Sequence, residues 1–207
     1  MATNTFTEPL PTPVMARSDG LTGAEFDQMV ERGAFETLGS KKVELLRGQI
    51  SIMNPAGPVH DDFIQELTTW SIRAGAPDHH VLRVQCGIVC DDDRPEPDIA
   101  WLQPKRYGRQ RPAAADIQLL IEVAEKSLAK DLRLKTKLYA EAGVAEYWIA
   151  DIPGRQIHVF HQPTNGSYQF EETVHPPRLL APQVRPHSPL DTGDLFSILQ
   201  SEGSTES

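Results

Sequence analysis

Asp98, Glu122 and Lys135 are the residues whose types and spacing point to chemistry. Asp98 follows Pro97 at the start of an apolar stretch, and Glu122 is the one charge inside the apolar run Ile117–Val123, close to its end. Two carboxylates at neighbouring strand ends suit a hard divalent cation such as Mg²⁺ or Mn²⁺, which takes oxygen ligands, keeps several waters and completes its octahedron with substrate phosphates. The backbone carbonyl of Val123 offers one more oxygen at the same place. A lysine beside such a centre stabilises the attacking nucleophile or the charge that develops on phosphorus.

The elements that must position these groups are legible between Ile117 and Asp151. Ile117–Val123 is too short for a helix and apolar on both faces, which predicts a strand buried on both sides. A helix follows from Ser127 to Ala142, stopped by Gly143, and Glu146–Ala150 is a second apolar strand. Strand, helix, strand in this order predicts a crossover joining two parallel strands. At 100° per residue, Leu128, Leu132, Lys135, Tyr139 and Ala142 share one stripe, with Lys135 at its centre; Lys130, Arg133, Lys137 and Glu141 fall on the opposite face. Lys135 therefore points towards the sheet and towards Glu122. A buried charge needs a partner. The pair is either a structural salt bridge or part of an active site.

Read in order, Pro97-Asp98, Ile121-Glu122-Val123, Asp131, Lys135, Tyr139–Val144 and Glu146–Ile149 resemble the Uma-type restriction endonuclease family, within the PD-(D/E)XK nuclease superfamily. Val43–Gly48 and the Asn54-Pro55…His60 entry into a helix match its N-terminal half. The resemblance runs from about Thr22 to Glu172 and again over Leu190–Leu199. It implies a restriction-endonuclease-like α/β core, a central mixed sheet flanked by helices, with an N-terminal helix and hairpin. It also implies a Mg²⁺- or Mn²⁺-dependent nuclease acting on DNA. In that reading Asp98, Glu122 and the Val123 carbonyl bind the metal, Lys135 is catalytic, and Glu44, His60 and Gln85 are accessory. The lysine that usually stands two residues after the glutamate is replaced by Ala124, and Lys135 on the next helix takes its place. A homodimer would let such a small nuclease cut both strands.

The remaining sequence bounds this reading. At 207 residues with 39% hydrophobic and 24% charged content, the chain suits a single domain over 21–200, with a flexible arm at 1–20 and a disordered tail at 201–207. No stretch is apolar enough to span a membrane, and the N-terminus lacks the pattern of a signal peptide. Cys86 and Cys90, four apart in one predicted strand, are too distant to bridge, which implies free thiols and the cytoplasm. The net charge of −9 opposes general nucleic-acid binding, but residues 105–137 carry nine basic against four acidic side chains, leaving −14 on the rest. That basic stretch is expected to surround the site.

Further elements follow from local signals. Thr22–Glu31 predicts a helix, Val43–Leu46 and Gln49–Met53 a hairpin, and His60–Ala74 a helix with His60, Phe63, Ile64, Leu67, Ser71 and Ala74 inward. Val81–Gln85 and Gly87–Cys90 predict one bent strand or two short ones, Pro97–Leu102 a strand, Gln156–Phe160 and Ser167–Glu172 a second hairpin about Asn165-Gly166. His79, His80, His158 and His161 lack ligand-spaced partners and are expected at the surface, and Asp91–Asp93 is expected to be a solvated turn. Two other functions stay open: a nuclease-fold binding or assembly module without activity, and a hydrolase for a small phosphorylated substrate.

Overall fold

The structure is a computed structural model that describes residues 20–39, 41–76 and 78–203. All but Gly20 of the expected N-terminal arm, and residues 204–207 of the expected tail, lie outside the described residues. Helix α1 (Gly23–Glu31) starts on a reciprocal cap: the Thr22 hydroxyl accepts the Glu25 N–H, and the Glu25 carboxylate accepts the Thr22 N–H. Strands β1 (Lys42–Leu46) and β2 (Gln49–Met53) form the expected hairpin. Arg47 and Gly48 both take positive φ, 53° and 74°, as the two-residue turn requires.

Helix α2 (Pro58–Arg73) leads to β3 (Val81–Val84), β4 (Ile99–Leu102) and β5 (Ile117–Ala124). The predicted long helix then arrives in three pieces: α3 (Leu128–Lys130), a π-helical turn over Asp131–Lys135, and α4 (Thr136–Glu141). Strands β6 (Glu146–Asp151), β7 (Gln156–Thr164) and β8 (Ser167–Val174) follow, then the short pair β9 (Leu179–Leu180) and β10 (Leu190–Asp191), and α5 (Thr192–Ser197).

One mixed sheet carries the strands in the order β3-β4-β5-β6-β7-β8. Its neighbours are antiparallel except β5 and β6, the pair joined by the helix, which run parallel with Glu122 opposite Ile149. Helices cover both faces. On one, Phe63, Leu67 and Trp70 of α2 and Phe196 of α5 pack on Trp101, Ile121, Val123 and Trp148. On the other, Leu138 and Tyr139 of α4 pack on Leu120, Ala124, Tyr147, Ile149 and Phe160. Burying each of the large apolar side chains among these stabilises the fold by about 1.5–3 kcal/mol. Ser71 lies within the inward stripe of α2 because its hydroxyl is fully used: it accepts the Trp101 indole N–H at 2.8 Å and donates to the Leu67 carbonyl.

Several local expectations change. The strand after His80 stops at Val84, because Gln85 turns to φ 48°. His80 is fully buried and stacks on Trp101 with ring centroids 4.0 Å apart; His158 is also buried, beside Asp151. Neither has the surface place that the sequence suggested. Asp93 is buried as well, because its carboxylate caps the hairpin turn at the Arg47 N–H. Cys86 and Cys90 are free thiols, as expected.

Candidate active site

Strand pairing sets the two carboxylates side by side. Ile99 lies opposite Ile121, so Asp98, one residue before β4, meets the end of β5 at Glu122 and Val123. Its Oδ2 accepts the Val123 N–H at 2.9 Å. Glu122 shares the sheet face of Leu120 and Ala124, under the helix, where its Oε1 accepts from Lys135 Nζ at 2.7 Å and from the Tyr139 hydroxyl at 3.0 Å. Both carboxylates are almost wholly buried. Lys135 reaches Glu122 as the helical stripe predicted.

The π turn brings two more residues inward. A π turn holds one residue more than an α turn, so the helix on its two sides is out of step. Lys130, expected on the solvent face, instead turns to the hairpin and donates to Glu44 Oε2 at 2.9 Å and to the Ser51 hydroxyl at 3.2 Å. Asp131 is buried, accepts from the Ser127 hydroxyl and lies 4.0 Å from Lys135. The Thr136 hydroxyl donates back to the Asp131 carbonyl within the widened turn. A uniform 100° wheel has no signal for this.

Glu44, on β1, is fully buried behind the cleft wall, between Lys130 and Lys135. It accepts the Glu96 N–H at 2.9 Å, and its Oε1 lies 3.0 Å from Lys135 Nζ. Lys42, two residues earlier on the same face of the strand, places its ammonium 3.1 Å from Asp98 Oδ1. Sequence reasoning missed Lys42, although its i, i+2 relation to Glu44 was the available signal. His60, in the first turn of α2, sets its Nε2 3.4 Å from Asp98 Oδ2. Gln85 is exposed at the rim; its backbone N–H donates to the Asp98 carbonyl. The structure thus gathers Glu44, His60, Asp98, Glu122, Val123 and Lys135, with Gln85 at the edge.

A cleft of about 960 Å³ opens over these groups. Lys41, Lys42, Lys126, Lys130 and Lys135 line it, and so do Asp61, Glu96, Asp98, Glu122, Glu125 and Asp131. The first part of the basic stretch, residues 105–115, does not. It lies at the other end of β4 and β5, where Lys105 pairs with Asp116 at 2.5 Å, just before β5 begins.

Charge and burial oppose one another throughout the site. Burial alone would raise the Glu44 carboxyl, but Lys135, Lys42 and Lys130 outweigh it and bring it down to about 2. At Asp98 burial is likewise overcome, by Lys42 and then His60, and the group stays below the usual carboxylate range. Burial pushes Glu122 up against the pull of Lys135 and Lys42. Desolvation would lower Lys135; Glu122, Glu44 and Asp131 reverse this and hold its ammonium firmly protonated. His60 is raised because Asp98 outweighs its burial.

Among the described residues, no three His, Cys, Asp or Glu side chains converge into a closed metal cage. The donor set nonetheless fits a hard cation that keeps its waters: two adjacent buried carboxylates on a cleft wall, with Val123 beside them. Their charge is balanced internally by two ammonium groups, Lys42 on Asp98 and Lys135 on Glu122.

Residues 25–188 match the sequence model of the Uma2 family, described as "Putative restriction endonuclease". In fold the chain is similar to the crystal structure of a "putative nuclease belonging to DUF820" from Anabaena variabilis, with a TM-score of 0.67 and 18% identity over 86% of this chain and 99% of that one. It also resembles the type IIG restriction endonuclease BpuSI at a TM-score of 0.40 and 12% identity, over 72% of this chain and 17% of that chain. No curated protein matches the sequence.

Proposed function

The chain belongs to the Uma2 family and has a restriction-endonuclease-like fold, and from that premise we propose that it is a divalent-metal-dependent endonuclease acting on DNA. One observation carries the proposal: Asp98, Glu122 and Lys135, distant in sequence, meet on the wall of a single open cleft. In this reading Asp98, Glu122 and the Val123 carbonyl hold Mg²⁺ or Mn²⁺. The ion supplies Lewis-acid stabilisation and an activated water.

The protein's own groups do the rest. Lys135, protonated and clamped between Glu122 and Glu44, acts as a fixed positive charge beside the reacting phosphate. It stabilises the charge that builds on phosphorus and takes no proton itself. Glu44 is the positioning residue that aims Lys135, with Lys130 as its second cation. His60 orients Asp98 from the opposite side, and Gln85 bounds the cleft. Water adds to phosphorus and one P–O ester bond breaks, leaving a phosphomonoester and a hydroxyl end. Cutting both strands would engage two copies, as a homodimer, and the free thiols suit work in the cytoplasm.

The test is incubation of purified protein with supercoiled plasmid and Mg²⁺ or Mn²⁺, beside Asp98→Ala and Lys135→Ala. Nicking or linearisation by the wild type, lost in both variants, is the expected result. Cleavage that survives both substitutions removes this site from the reaction. A wild type that cuts neither duplex nor single-stranded nucleic acid leaves a nuclease-fold binding module.

A further inference from the structure

Two lysines neutralise the two carboxylates of the site, and they are held very differently. Lys135 is sealed in: its side chain is 2% exposed, it contacts Glu122 at 2.7 Å and Glu44 at 3.0 Å, and Asp131 stands 4.0 Å away. Lys42 sits at the cleft edge with 16% of its side chain exposed, and Asp98 Oδ1 is its one hydrogen-bonding partner among the described residues. Asp98 Oδ2 is meanwhile engaged by the Val123 N–H and approached by His60. The oxygen of Asp98 that a cation would compete for is therefore the one Lys42 covers.

From this asymmetry we propose that Lys42 is an exchangeable counter-ion. It neutralises Asp98 until a divalent cation takes Oδ1, and its displaced ammonium then turns into the cleft to bind a phosphate of the nucleic acid. The inference rests on the metal and substrate proposed above and adds a residue that couples their binding. Three features support it. A buried carboxylate without a counter-charge is costly, so the metal-free site needs a placeholder. Lys42 has a long flexible stem with its head at an open edge, so it can leave without breaking a strand. Lys135 cannot serve, since its withdrawal would leave both Glu122 and Asp131 without an ion-pair partner among the described residues.

Calorimetric titration with Mn²⁺ at fixed pH tests the first half, using the wild type, Lys42→Met, Lys42→Arg and Asp98→Asn. Lys42→Met should bind Mn²⁺ more tightly, on the order of tenfold, because its competitor is gone. Lys42→Arg should bind it several-fold more weakly, since a guanidinium pairs more strongly with a carboxylate. This second variant keeps the test open even where Lys42→Met folds poorly. Mn²⁺ affinity unchanged or weaker in the methionine variant, or unchanged in the arginine variant, overturns the exchange. Mn²⁺ binding that survives Asp98→Asn unaltered overturns the metal assignment itself, and the exchange with it.

The second half is read from duplex DNA binding with and without Ca²⁺, an ion chosen to keep the duplex intact. Lys42→Met should lose on the order of fivefold in affinity when Ca²⁺ is present and almost nothing when it is absent. A lysine with a purely structural task would lower the melting temperature without this metal dependence. An equal loss under both conditions overturns the coupling.

Discussion

Lys135 Nζ lies 3.0 Å from Glu44 Oε1, tying the N-terminal hairpin to the helix that crosses over the central sheet. Both side chains are buried, so the pair has no water to fall back on. Glu44→Gln should destabilise the fold by about 3–5 kcal/mol, the usual cost of removing one partner of a buried pair. Urea unfolding at pH 7 measures it. The pH dependence has a definite sign. Because Glu44 is depressed from 4.5 to about 2, its contribution is complete above pH 4.5 and drains away as pH falls towards 2. The acid limb of the stability curve should therefore flatten in Glu44→Gln.

A lysine held this firmly protonated cannot be the general base. The rate of cleavage between pH 6 and 10 should show no ionisation that disappears in Lys135→Met. The variant should instead lose roughly 10²–10³-fold in rate across the whole range, the scale for removing one electrostatic stabiliser. A pH–rate profile that changes shape in the variant would assign Lys135 a proton-transfer role.

His80 supplies a second acid-sensitive element, far from the carboxylates. It is fully buried against Trp101, and burial lowers its imidazole from 6.5 to about 4. Between those values the unfolded chain takes up a proton that the folded chain refuses, so stability falls as pH drops through this window. His80→Phe keeps a ring in the stack and removes the proton site. Between pH 7 and pH 5 it should lose on the order of 1–2 kcal/mol less than the wild type. Melting curves at the two pH values decide this, and equal losses would rule His80 out.

The sequence disclosed the sheet's central strands, the helix between β5 and β6, and the meeting of Glu122 with Lys135, because each rests on a simple periodicity. The short-range turns at Arg47-Gly48 and Asn165-Gly166 were equally legible from their residue types. What escaped were relationships set by tertiary contact. Lys42 and Lys130 look like ordinary surface lysines until Asp98 and Glu44 are placed opposite them. His80 and His158 have no neighbours in sequence that explain their burial; Trp101 and Asp151 provide it in space. Of the basic stretch, only the part beyond β5 lines the cleft, for a related reason: charge along a chain does not say at which end of a sheet the chain emerges.

The π turn can be tested by shortening. Deleting Arg133, an exposed residue within Asp131–Lys135, should let the helix close as a regular α-helix. Lys130 and Lys135 would then stand four residues apart, a spacing that keeps both on one face of an α-helix. Helix content by circular dichroism should be preserved, and both lysines should still reach Glu44. Cleavage should stay near the wild-type rate; a fall to the level of Lys135→Ala would show that the widened turn itself is needed.

Ala124 shares Glu122's face of β5 and is fully buried in the apolar layer beneath the helix. A side chain on a strand has only two settings, up or down, so a lysine at that position would be locked to the pleat that also aims the glutamate. Here the ammonium descends from the layer above, and its approach is set by an angle around a helix axis. Such an angle can be adjusted in small steps by a widened turn or a changed neighbour, with β5 left untouched. The sheet is thereby free to serve as a dry foundation, and the alignment of charge over it becomes a separately tunable dial.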